Sequence, residues 1–224
     1  MPRRSKRTRE LTRRINVTAL GVDSNYEPIT RAACEYRETN VYPYLESKGF
    51  QVIKLQGPLA RRHYVAPEAR KPGVDYLTGV GHGLDDLYTG DHGAVIFRTG
   101  DYHPDEANGK IVHLLSCQTA RGLGRDFVTN GARAYFGYDE NFTFTMAEKD
   151  VFFECDAEID RAFADGLTAA RVYDRVRTLY DQRIAELRSA GKLRQAATLE
   201  FDRDHLRCPS SGGLAWGDTQ AKLH

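Results

Sequence analysis

As far as Tyr138 the apolar residues come in short runs separated by breaks rich in Gly, Asp and Asn; from Asp150 onward they recur every three or four positions. Short apolar runs mark buried strands, and the wider spacing marks one face of a helix. Strands are accordingly predicted at 15–22, 50–55, 74–81, 111–116 and 132–138. Between the first two, Ala33, Arg37, Val41 and Leu45 keep helical spacing across 29–47, with Pro43 expected to kink or divide the helix and Lys48-Gly49 to stop it. A further short helix is predicted at 119–130, and a β-hairpin at 87–98 whose Thr89-Gly90-Asp91-His92-Gly93 tip overhangs the sheet edge. Phe152, Phe153, Ile159 and Phe163 mark a later helix. Val172, Val176, Leu179, Tyr180, Ile184 and Leu187 mark a long C-terminal one, whose stripe reads as core or as a partner-facing surface. Residues 209–213 read as loop. Strands alternating with helices imply an α/β fold on a mostly parallel sheet.

Composition narrows the class. A chain of 224 residues is long enough for one α/β core, read here as a domain over 15–224 preceded by an arm, 1–14. No run approaches the 18 apolar residues of a membrane span. Cys34, Cys117, Cys155 and Cys208 form no CxxC pair and no zinc-type spacing, so reduced thiols in a cytoplasmic setting are expected, with no metal and no cofactor. Net charge is +1, which argues against a general nucleic-acid binder. The arm, with Arg3, Arg4, Lys6, Arg7, Arg9, Arg13 and Arg14 against Glu10, reads first as a flexible solvated extension and only second as a nucleic-acid or partner contact.

Candidate chemistry sits where two apolar runs end. One runs into His82-Gly83, the other into Cys117-Gln118. If the two are neighbouring parallel strands, about 4.8 Å apart, both side chains emerge at the carboxyl edge of the sheet, where α/β folds bind ligands. A cysteine attacks as thiolate, so Cys117 calls for His82 as proton acceptor and for help from the N-terminus of the 119–130 helix. The N–H groups of Gly83 and Cys117 could form an oxyanion hole. His113 lies four strand residues, about 13 Å, before Cys117 and reads as core. His92 and His103 read as solvated loop residues. Arg121-Gly122-Leu123-Gly124 lacks the third glycine of a dinucleotide fingerprint, since Phe127 stands there, and reads as a plain helix start.

At these residues the chain resembles the caspase-like clan of cysteine peptidases. The matching stretches are Leu77-Thr78-Gly79-Val80-Gly81-His82-Gly83, Ile111-Val112-His113-Leu114-Leu115-Ser116-Cys117-Gln118-Thr119-Ala120 and Gly131-Ala132-Arg133-Ala134-Tyr135-Phe136-Gly137-Tyr138, the last similar to gingipain and CHAT domains. The resemblance implies a flavodoxin-like sheet, hydrolysis of a protein or peptide substrate by a His82–Cys117 dyad, and an oxyanion donor at Gly83. Gln118-Thr119 after Cys117, and a His82 to Cys117 interval of 35 residues (117 − 82) against about 50 in caspases, turn the resemblance toward the gingipain/CHAT-like branch. It also brings Asp23, Asp139 and Glu140 toward Cys117 as carboxylates for a basic substrate residue. Control by a regulatory partner, ligand or processing is expected. The alternative is a catalytically silent scaffold docking through its long C-terminal helix.

Overall fold

The computed structural model describes residues 17–223; the basic arm lies outside them. Strands β1 (Thr18–Asp23), β2 (Gln51–Gln56), β3 (Val74–Val80), β7 (Ile111–Leu115) and β8 (Ala134–Tyr138) pair in parallel in the order β2-β1-β3-β7-β8, and the two-residue β9 (Leu206–Arg207) adds antiparallel to β8. All five predicted strands are present, the first starting three residues later than expected and the others within two residues of their expected ends. Of the first, Ile15 and Asn16 lie outside the described residues.

Successive strand residues face opposite layers, as the pleat requires. Ala19, Tyr76, Ile111 and Phe136 enter one core with α1 (Pro28–Asn40), α2 (Tyr42–Ser47), α5 (Lys149–Ala164), α6 (Ala169–Ser189) and α7 (Leu193–His205). Leu20, Leu77, Val112 and Tyr135 enter the other, with α3 (Arg62–Ala69), α4 (Leu123–Thr129) and the small antiparallel sheet β4 (Gly83–Leu84), β5 (Leu87–Thr89) and β6 (Val95–Arg98). A strand buried on both faces reads as a continuous apolar run, which is why these strands were visible. The central helix divides as expected: α1 ends at Asn40, α2 begins at Tyr42 with Pro43 in its first turn, and Gly49 takes φ +89° after it.

Three expectations change. The 119–130 helix begins only at Leu123, because Thr119–Gly122 form turns tied by Thr119 N to Cys117 O and Ala120 N to Tyr138 O. Residues 209–213 include a short helix, α8 (Pro209–Gly212). The long helix α6 is not the last: α7 folds back on it, and Val172, Val176, Tyr180, Ile184 and Leu187 are buried, so its apolar stripe is core rather than a docking face.

Candidate active site

Val80 of β3 stands beside Leu115 of β7 in register, and Gly81 N donates to Leu115 O at 3.3 Å. His82 and Cys117 each follow two residues later and line one cleft. The backbone of His82 is fixed by the hairpin, since its carbonyl accepts from Thr89 N at 2.9 Å and from Thr89 Oγ1 at 3.2 Å. Its half-exposed imidazole places Nε2 3.4 Å from Glu27 Oε1, with the Tyr26 ring edge-on at 6.2 Å. Glu27 caps α1 by accepting from Thr30 N at 2.7 Å and Ile29 N at 2.9 Å. Burial opposes its charge, but these N–H donors and His82 outweigh it, and the carboxyl lies below its ordinary value. A lasting anion therefore faces one imidazole nitrogen. Sequence reasoning missed Glu27, although Pro28 after it is a helix-start signal; glutamate is an uncommon cap, which hid it.

Cys117 sits on a tight turn. Gln118 takes φ +59°, a left-handed conformation that costs a non-glycine residue roughly 1–3 kcal/mol. The turn is held by Gln118 N to Glu140 O at 3.1 Å, Gln118 Nε2 to Asn141 Oδ1 at 2.9 Å, and a buried hydroxyl chain in which Ser116 Oγ and Tyr135 OH each lie 2.8 Å from Thr119 Oγ1. The Sγ contacts Phe142 O at 4.0 Å. Burial pushes the thiol above its ordinary value. The helix N-terminus expected to help a thiolate lies at Leu123, six residues beyond Cys117, and a helix end acts only over its first turn, so that help is not in place. Among the described residues no hydrogen bond joins Cys117 to His82; their side chains contact Phe142 O and Glu27 Oε1 respectively.

Gly83 presses against this turn: a Cβ there would lie 2.5 Å from Cys117 O and 2.6 Å from Thr119 Cγ2. Gly83 also faces Tyr88 while Thr89 N bonds to His82 O, which makes it a non-hydrogen-bonded position of the β4–β5 ladder. The N–H at such a position points away from the partner strand. The N–H of Cys117 likewise has no hydrogen-bond partner among the described residues.

The acidic candidates are occupied. Asp23 is fully buried, bonded to Arg37 Nε at 3.2 Å, to Val80 N at 3.1 Å and to the Tyr42 hydroxyl; it does not reach the cleft surface. Asp139 is held by His205 Nδ1 at 2.9 Å and Arg207 Nε at 2.6 Å. Glu140 pairs with Arg121. The cleft lining is instead apolar, from Ile29, Ala33, Val80, Leu115, Phe142, Phe144 and Phe153, with Thr30, His82, Ser116 and Cys117 as its polar members. Phe142 and Phe144 belong to a segment with no regular structure, so no periodicity announced them.

The remaining histidines separate cleanly. His113 is buried between Asp156, at 3.2 Å from Nε2, and Asp160, at 3.3 Å from Nδ1. His92 pairs with Asp91 and stacks on Tyr26 at 5.0 Å, and exposed His103 accepts from Asp105 N at 3.3 Å. Among the described residues no group of three His, Cys, Asp or Glu side chains is placed to hold a metal. Gly122 and Gly124 start α4 and meet Asp85 O and the Tyr135 ring, which is packing rather than a phosphate cradle.

No protein-family model matches the chain, and no curated protein does. Among solved structures it is similar to the Arg-specific cysteine proteinase gingipain R, with a TM-score of 0.62 and 11% identity over 92% of this chain and 47% of that one. The chain thus spans about half the length of gingipain R. A second match, caspase-1 from Spodoptera frugiperda, has a TM-score of 0.42 and 13% identity over 74% of this chain and 76% of that one. The fold is that of the caspase-like peptidases, a mostly parallel six-stranded sheet flanked by helices.

Proposed function

We propose that this chain is a cysteine peptidase in which Cys117 is the nucleophile, His82 the proton carrier, and the N–H groups of Gly83 and Cys117 the oxyanion donors. The observation that carries this is the Val80–Leu115 register, which brings an activated-imidazole candidate and a thiol to one cleft at the carboxyl edge of the sheet. His82 takes the thiol proton as sulfur attacks the substrate carbonyl, so a C–S bond forms and the oxyanion is met by two N–H donors. The imidazolium, facing the Glu27 carboxylate, returns the proton to the leaving amine as the C–N bond breaks. Water then hydrolyses the thioester through the same imidazole. No step calls on a metal or organic cofactor.

The partner is a protein or peptide substrate. Among the described residues no helix is long and apolar enough to cross a membrane. The scaffold alternative loses its main support because the stripe it needed is buried in the core. Cleavage of a peptide library by the chain and by Cys117→Ala tests the reading. Cleavage is expected to vanish in the variant with the fold retained by circular dichroism, and ordinary cleavage by it would exclude Cys117 as nucleophile. His82→Ala should be nearly as severe, since the two act as a unit.

A further inference from the structure

The cleft beside Cys117 is built for a particular kind of side chain. Its buried floor is Ala33 of α1, Val80 of β3 and Phe153 of α5, its flank is Phe142 and Phe144, and Ile29, 52% exposed, stands at its rim. The Phe144 ring meets Phe153 edge-on, centroids 4.7 Å apart, so the aromatic wall is braced by the core rather than left loose. The cleft is small, with a cavity volume of ≈ 50 Å³, room for a few waters or for the end of one side chain.

Its electrostatics exclude ions. Apart from His82 the lining contains no titratable side chain but the nucleophile itself. Each exposed or half-buried carboxylate around the cleft is already matched: Glu27 by two N–H groups and His82, Asp139 by His205 and Arg207, Glu140 by Arg121. Asp202 of α7 is the nearest exception. Its Oδ1 accepts from Thr143 N at 3.0 Å and its Oδ2 has no partner, but it is 1% exposed and is not part of the lining. Burial pushes this carboxyl well above its ordinary value. A guanidinium or ammonium in the cleft would lose its water and gain no counter-charge, and a carboxylate would fare no better.

We propose, resting on the peptidase reading above, that this cleft is the specificity pocket and takes a large apolar side chain such as Leu, Met or Phe on the substrate residue whose carbonyl Cys117 attacks. Burying such a side chain rather than Ala favours it by roughly 10- to 100-fold. The basic preference expected from Asp23, Asp139 and Glu140 is thereby replaced.

The test is a set of peptidyl chloromethyl ketones differing only in the final residue, Leu, Met, Phe, Ala, Arg, Lys or Asp, with the rate of Cys117 adduct formation followed by intact mass. Leu, Met and Phe reagents are expected to react about 10- to 100-fold faster than Ala, and Arg, Lys and Asp reagents no faster than Ala. In Ile29→Asp, a rim change that leaves the buried floor untouched, the Arg reagent should gain relative to Leu. An Arg or Lys reagent that is fastest in the unaltered protein overturns the proposal and brings Asp202 into the pocket, with Asp202→Asn as the check. Rates independent of the final residue, or no adduct with any reagent, also overturn it. Selective labelling by Leu, Met and Phe reagents without hydrolysis of the matching peptide amides would sustain the pocket while sinking the peptidase reading, so the two failures are distinct.

Discussion

Gly83 and Gln118 show how narrowly single residues define the turn that carries Cys117. The missing side chain at Gly83 lets β4 lie against the Cys117 carbonyl, and a Cβ there meets backbone, which cannot swing aside. Gly83→Ala is therefore expected to lower turnover by about 100- to 1000-fold, the cost of misplacing one oxyanion donor. Steady-state kinetics checks this, and unchanged turnover would remove Gly83 from the mechanism. Because burial keeps Cys117 a thiol at rest, its alkylation by iodoacetamide should accelerate as pH rises through and beyond the ordinary thiol range. A rate already at its plateau near pH 6 would instead reveal a standing thiolate–imidazolium pair. Glu27→Gln keeps a carbonyl for the α1 cap and removes the charge facing His82; kcat should fall with KM little changed.

At the scale of elements, the sheet and its helices are joined by a buried polar chain. Arg37 of α1 reaches Asp23 of β1, Thr78 of β3 and Asp160 of α5, and His113 of β7 lies between Asp160 and Asp156. Burial acts against the His113 cation, yet the two carboxylates outweigh it and raise its value to about 9. For a group whose folded value is raised, the stabilisation is complete below the unfolded value near 6.5 and is lost as pH rises through about 9. Denaturant titrations should thus show stability falling between about pH 6.5 and pH 9 in the unaltered protein, with that slope reduced in His113→Phe. Asp160→Asn should cost roughly 3–5 kcal/mol, because it strands Arg37 and His113 in the interior. None of this chain was legible in the sequence beyond His113 as a core residue. The strands were legible because burial on both faces writes a continuous apolar run, and the shared cleft of His82 and Cys117 because each follows one. Helix α7 was not, since its buried positions Ala196, Leu199 and Asp202 make too thin a stripe, and α3 was hidden by Pro67. Asp23 looked like a site residue because strand position is readable and a salt-bridge partner is not.

Across the molecule the four thiols fall into two groups. Cys34, Cys155 and Cys208 are buried, and burial raises all three, Cys34 to about 12 and Cys208 to about 11; Cys117 alone is partly exposed, and no disulfide links the four. Under native conditions a thiol-directed maleimide should add once, at Cys117, and four times after denaturation, as counted by mass. More than one native adduct would show that a core opens on the labelling timescale. The parallel sheet has a further consequence for engineering. Every strand of that sheet except β9 enters at one pole and leaves at the other, and His82, Cys117, Glu27 and Gly83 all lie beyond the leaving ends. The opposite pole, where β3 and β7 begin, carries the exposed turn Lys71-Pro72-Gly73 and the exposed Asn108-Gly109. A fluorophore or surface tether inserted between Lys71 and Pro72 would sit a full strand length from the chemistry, so the chain could be anchored by its blind end while the rim that carries Cys117 stays open to the large substrates proposed for it.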